Sequence, residues 1–209
     1  GEEQFALVRR AKMTEERRSN SPKVSSCDAA ACLEMQADHD ATDMLLDAYS
    51  SEEWLSLRAR VTAVSAMMVL IERADSAQHS HVSTHPKAAT RIFQLLGHLI
   101  DMPMVRAHSG SADTQLPSSE EQEQFAAQVV VPSFFDAKAL ARVASARPIS
   151  DDLGSATDFF HDVKCAKLKG ATGDSQLVTA GARQWSELVA SKAIMQASKL
   201  DDERRVSKL

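Results

Sequence analysis

The chain has 209 residues, of which 44% are hydrophobic, and a formal net charge of −5 from 24 basic and 29 acidic side chains. That length can bury a real core in one domain or two small ones, and the composition excludes collagen-like, disulfide-stapled and wholly disordered chains. There is no basic excess of the kind a phosphate backbone demands, so no nucleic-acid partner is expected.

Only 7 glycines and 6 prolines are present, whereas a sheet protein needs many tight turns and more of both. Good helix formers outnumber strand formers: alanine is common, while asparagine occurs only at Asn20 and tyrosine only at Tyr49. The expected fold is all-α, an irregular multi-helix bundle of about six to eight helices with an extended N-terminal segment. The apolar runs Val61 to Ile71 and Ile92 to Val105 are broken by polar residues and fall short of the roughly 20 residues that cross a bilayer, so no membrane span is expected. Three cysteines, Cys27, Cys32 and Cys165, cannot all pair within one chain, and no secretory signal is evident, which favours a reducing compartment.

In chain order, residues 1–26 read as an N-terminal helix and a linker, with Phe5, Leu7 and Val8 on one side and Pro22 in the linker. This part is too polar to fold alone and is expected to be partner-bound. Residues 27–103 read as a helical core. Asp28 to Tyr49 is its first helix, with Leu33, Ala37, Ala41, Met44, Leu45 and Ala48 at three- and four-residue spacing. Ser50 and Glu53 form a capping box for the next helix, whose Trp54, Leu57, Val61, Val64, Met68 and Ile71 lie on one continuous face. This helix is expected to be the central packing element. Pro86 suits the first turn of a third helix, with Ala88, Ala89, Ile92, Phe93, Leu96, Leu99 and Ile100 buried and Pro103 as its end.

Residues 104–119 read as a long loop, and residues 120–209 as a C-terminal helical part. Ser118 and Glu121 make a second capping box before Phe125, Val129 and Val130, and Pro132 is read as the stop. A short helix then carries Phe135, Leu140 and Val143 inward. Phe159, Phe160, Val163 and Leu168 mark another helix. A final long helix, from about Ser175 to Arg205, carries Val178, Ala182, Trp185, Leu188 and Val189.

Few residue groups point to chemistry. His79, His81 and His85 are spaced so that a curled loop could gather imidazoles on a transition metal, but no cysteine or carboxylate stands at a recognised zinc spacing. The expectation is a solvated loop without structural metal, and no cofactor. Cys27 and Cys32 are too far apart for a redox pair and read as small buried hydrophobes. Asp38, Asp40, Asp43 and Asp47, with His39, read as a solvated helix face, because the Glu-x-x-His pairs of di-metal bundles are missing. Trp54 and Trp185 read as core anchors. No phosphate-binding glycine loop, nucleophile elbow or dinucleotide fingerprint occurs, and no catalytic residue can be chosen.

The chain ends in Ser207, Lys208 and Leu209, which match a peroxisomal targeting tripeptide. Two functions are consistent with these features. The first is a non-catalytic helical accessory or scaffold subunit of a larger assembly in a eukaryotic organelle, with protein partners. The second is a small peroxisomal matrix protein, an enzyme among the options, addressed by that tripeptide. Without such an address, a mitochondrion or plastid is the expected location.

Overall fold

The computed structural model describes residues 26–46, 53–77, 85–109, 116–169 and 176–206. These residues form helices and connecting turns, with no strand among them, in an all-α multi-helix arrangement. The helices are α1 (Ser26–Leu45), α2 (Trp54–Ala77), α3 (Ala88–Ser109), α4 (Ser119–Phe125), α5 (Val131–Val143), α6 (Arg147–Asp152), α7 (Ala156–Lys169) and α8 (Ala180–Val206), and a π-helical segment, Ala126–Val130, joins α4 to α5. Gly1 to Ser25 of the expected N-terminal segment, together with Ser50 of the first capping box, lie outside the described residues.

The centre of the bundle is α3 rather than α2. α3 packs against α1, α2, α5, α6, α7, α8 and the π segment, whereas α2 lies chiefly against α3, α5 and the π segment. The sequence already carries the reason. α3 carries a broad apolar face, on which Ala88, Ala89, Ile92, Phe93, Leu95, Leu96, Leu99 and Met102 are all buried, and its opposite, polar side is covered as well, so that no residue from Ala88 to Pro103 is exposed. α2 keeps a one-sided stripe: Trp54, Leu57, Val61 and Met68 are buried, Val64 is half-buried, and Leu55, Met67 and Leu70 are exposed. By length and composition alone α2 is long and apolar enough to cross a bilayer, a test that the core helices of other proteins also pass. In this fold its stripe is spent on the protein core.

Two prolines expected to end helices do not. α3 runs through Pro103, which is buried, and continues to Ser109, shortening the loop that was expected from Met104 onward. At Pro132 the chain instead inserts the π segment, in which the Val131 N–H donates to the Ala126 carbonyl five residues back. Pro132 then falls in the first turn of α5, where its missing N–H costs nothing. The extra residue in that turn also shifts the buried stripe. Ser133, Phe134, Ala137 and Ala141 face the core, while Phe135 and Val143, expected inward, are exposed. Of the second capping box, the Ser118 hydroxyl accepting the Glu121 N–H is present at 3.1 Å.

α8 is fixed to α7 by Asp162, a fully buried carboxylate that accepts the backbone N–H groups of Val178 at 2.9 Å and Thr179 at 2.8 Å and the Thr179 hydroxyl at 2.8 Å. The Thr179 hydroxyl in turn accepts the Ala182 N–H, capping α8. Near this end α8 crosses α3 so closely that a Cβ on Gly181 would stand 2.9 Å from the Ala89 carbonyl oxygen.

α1 stands apart from the main core. Ala31, Cys32 and Met35 form a small separate apolar cluster with Leu188 of α8, while Leu33, Met44 and Leu45, expected on the buried face, are exposed. The Cys32 thiol donates to the Leu188 carbonyl, consistent with a small buried hydrophobe. Leu46, directly after its last residue, is buried in the main core, and the rest of the attachment of α1 is largely polar.

Candidate functional site

Along α3, Arg91, Gln94, His98 and Asp101 step by three, four and three residues and form a polar row on an otherwise apolar helix. α1 answers with Glu34 and Asp38 one turn apart, and with His39 and Asp43 one turn apart. The two rows meet in a polar seam. Arg91 donates to Asp38 through Nε and an NH2 nitrogen, both at 2.6 Å. This fork is buried, with 6% of the Arg91 side chain and 15% of the Asp38 side chain exposed. Burial opposes the Arg91 charge, but the hydrogen bonds and field of Asp38 outweigh it and raise the guanidinium pKa above its ordinary value.

Further along the seam, the Gln94 side chain donates to the Met35 carbonyl at 2.8 Å. His98 Nε2 lies 3.0 Å from Asp43 Oδ1, and His39 Nε2 lies 3.8 Å from Asp43 Oδ2. The two imidazole rings meet edge to face, 5.1 Å apart. Burial lowers the His98 pKa, Asp43 offsets part of that effect, and His39 adds to it, so the ring favours its neutral form. At the opposite end of the seam, His85 Nδ1 lies 3.2 Å from Glu34 Oε1, with both side chains partly exposed. The acidic row was expected to be a solvated face. Asp40 and Asp43 are exposed, Asp43 lying also against two histidines, whereas Asp38 is half-buried against Arg91; Asp47 lies outside the described residues.

A cleft of about 350 Å³ opens beside the seam, between α1, α3, α7 and α8. Phe93, Val163, Ala166, Trp185 and Val189 give it apolar walls, and His39, His98, Asp101 and Lys167 give it a polar rim. Lys167 pairs with Asp101 across that rim. Gly97, in the middle of α3, also lines the cleft, and a Cβ there would meet nothing within 4 Å, so its missing side chain leaves the cleft roomier. Trp185, expected as a core anchor, is half-buried and serves as a cleft wall, whereas Trp54 is buried.

Of the three histidines singled out in the sequence, His85 stands at the start of α3 against Glu34, and His79 and His81 lie outside the described residues. Ser207, Lys208 and Leu209 also lie outside them. Glu34, Arg91 and His98 were missed. The available signal was a polar residue recurring at helical spacing within the apolar stripe of α3, facing acids four residues apart on α1. On α7, Cys165 Sγ lies 3.4 Å from His161 Nε2, one turn away along the same helix.

Fold and site together describe an all-α protein in which a partly buried polar seam between two helices borders a mostly apolar cleft. Over residues 12–110, just under half of its length, the chain is similar to the family described as Peptidase U49. That stretch takes in α1, α2 and α3 and so contains every residue of the seam. No curated protein and no solved structure matches the chain. The 209 residues contain no H-E-x-x-H pair.

Proposed function

We propose that the chain is a helical part of a peptidase of the U49 kind, and that the α1–α3 seam is its functional element. The observation that carries this reading is the coincidence of the family similarity with the seam: Glu34, Asp38, His85, Arg91 and the histidines around Asp43 all fall within residues 12–110. Buried ion pairs are costly to desolvate, and apolar side chains of similar volume often serve stability as well or better. A seam built this way is better accounted for by a positioning role than by packing alone. The Asp38–Arg91 fork sets α1 against α3. One turn along α1, the accessible Glu34 carboxylate beside the His85 imidazole makes an acid–base pair able to take up and return a proton.

The test is hydrolysis of an unstructured protein substrate such as casein by the purified protein, with new N-termini identified by mass spectrometry. Cleavage that is abolished by Glu34→Gln, while helicity by circular dichroism is retained, is the expected result. No cleavage, or cleavage unaffected by Glu34→Gln and His85→Asn, overturns the reading.

A second reading, an accessory or scaffold subunit, is favoured by large apolar side chains left in solvent, among them Leu55 at 83% exposure, Met44 at 81% and Val143 at 86%. The native mass of the protein drawn from its source cell decides it. A stable hetero-complex supports the subunit, and a lone chain removes it.

A further inference from the structure

Beyond the acid–base pair, the seam holds a second cluster with a different chemistry. His39 and Asp43 sit one turn apart on α1, where four-residue spacing points two side chains the same way. α3 contributes His98 from a separate element, so the cluster exists only in the folded protein. One ligand atom from each of His39, Asp43 and His98 lies within 4.8 Å of the other two. Around a four-coordinate ion with bonds of about 2.0–2.1 Å, neighbouring ligand atoms stand about 3.3 Å apart. His98 Nε2 lies 3.0 Å from Asp43 Oδ1 and His39 Nε2 3.8 Å from Asp43 Oδ2, so each imidazole stands near that spacing from one of the two carboxylate oxygens. His39 and Asp43, at 43% and 50% side-chain exposure, have the freedom to rotate onto an ion, while the more buried His98 supplies a fixed point.

We propose that His39, Asp43 and His98 form a binding site for one divalent transition-metal ion of the Zn2+ or Co2+ class, with a coordination position open to the cleft. Two imidazoles and one carboxylate suit such borderline ions, whereas Mg2+ and Ca2+ prefer sets made wholly of oxygen. Three protein ligands are the number at which zinc sites leave a fourth position for water or a bound molecule. His39 and His98 both line the cleft, so a remaining coordination position would be reached from it. The inference does not rest on the peptidase reading, since Glu34 and His85 take no part in it.

The experiment is titration of the chelator-stripped protein with Co2+, read by visible ligand-field absorption. Saturation at one equivalent, reversal by Zn2+, and retention in a His79→Ala/His81→Ala double variant are expected. Loss of even an outer-shell partner of a metal site costs about 10–100-fold in affinity, so His39→Ala and Asp43→Asn should each weaken binding by at least about tenfold. Both side chains are half-exposed, and unchanged helicity in the two variants would show that the fold is intact. Absence of saturable binding, binding unchanged in either ligand variant, or binding lost with His79 and His81 overturns the proposal. Peptidase activity does not enter the readout.

Discussion

Arg91→Ala is expected to destabilise the protein by about 3–5 kcal/mol in urea denaturation, the range found when one partner of a buried ion pair is removed. The guanidinium and its partner carboxylate are both largely shielded from water, and two 2.6 Å hydrogen bonds join them. Deleting Arg91 leaves the Asp38 charge facing α3 with no counter-charge. Most of the loss would therefore be the penalty on the orphaned carboxylate rather than the worth of the pair. A double variant, Arg91→Met with Asp38→Leu, should recover much of the loss, because two apolar side chains carry no charge to desolvate. If Arg91→Ala cost less than about 1 kcal/mol, the value of an exposed pair, the seam would have to be open to water. The more exposed fork between Arg58 and Asp136, which joins α2 to α5 at 2.8 Å and 2.9 Å, is the natural control and should cost less to break.

The second large effect belongs to Phe134. Its ring is fully buried and lies 4.8 Å from Phe159 and 5.6 Å from Phe160, and Phe159 continues the aromatic contacts to Phe93 of α3 at 5.4 Å. Phe134→Ala should cost about 3–5 kcal/mol, the usual range for a buried aromatic truncated to alanine. Phe135→Ala should stay below about 1 kcal/mol, because the neighbouring ring is 55% exposed. The pair reports on the π segment directly. Without the extra residue in that turn Phe134 would move by about one residue's step, roughly 100°, round the helix to the side that Phe135 now occupies, and the cost of Phe134→Ala would fall.

This pair also shows where sequence reasoning stops. Helical spacing correctly placed Leu57, Val61 and Met68 in the core, and Ser118 at a helix start, because those patterns depend on local geometry alone. The register of Phe134 and Phe135 depends on an i→i+5 turn that no spacing rule announces. Pro103 was read as a helix end because a proline removes one N–H from the ladder, yet α3 continues past it. The seam was the larger omission. Asp38, Asp43 and His39 were recognised as a row but assigned to solvent, since an acidic helix face is solvated unless another element brings it a partner. Arg91 and His98 were passed over because they sit among the apolar residues that define α3. Each row is visible in the sequence, but their meeting, 53 residues apart for Arg91 and Asp38, is a tertiary event.

The attachment of α1 has a further consequence for how the molecule opens. A helix held to its neighbours by a small apolar cluster and a row of polar pairs can separate at less free energy than the main core, which must expose its aromatic and aliphatic interior to come apart. The backbone amides of α1 are therefore expected to exchange with deuterium sooner than those of α3, and through a partial opening rather than through global unfolding. An ion bound across His39, Asp43 and His98 should slow that exchange in α1 and α3 together.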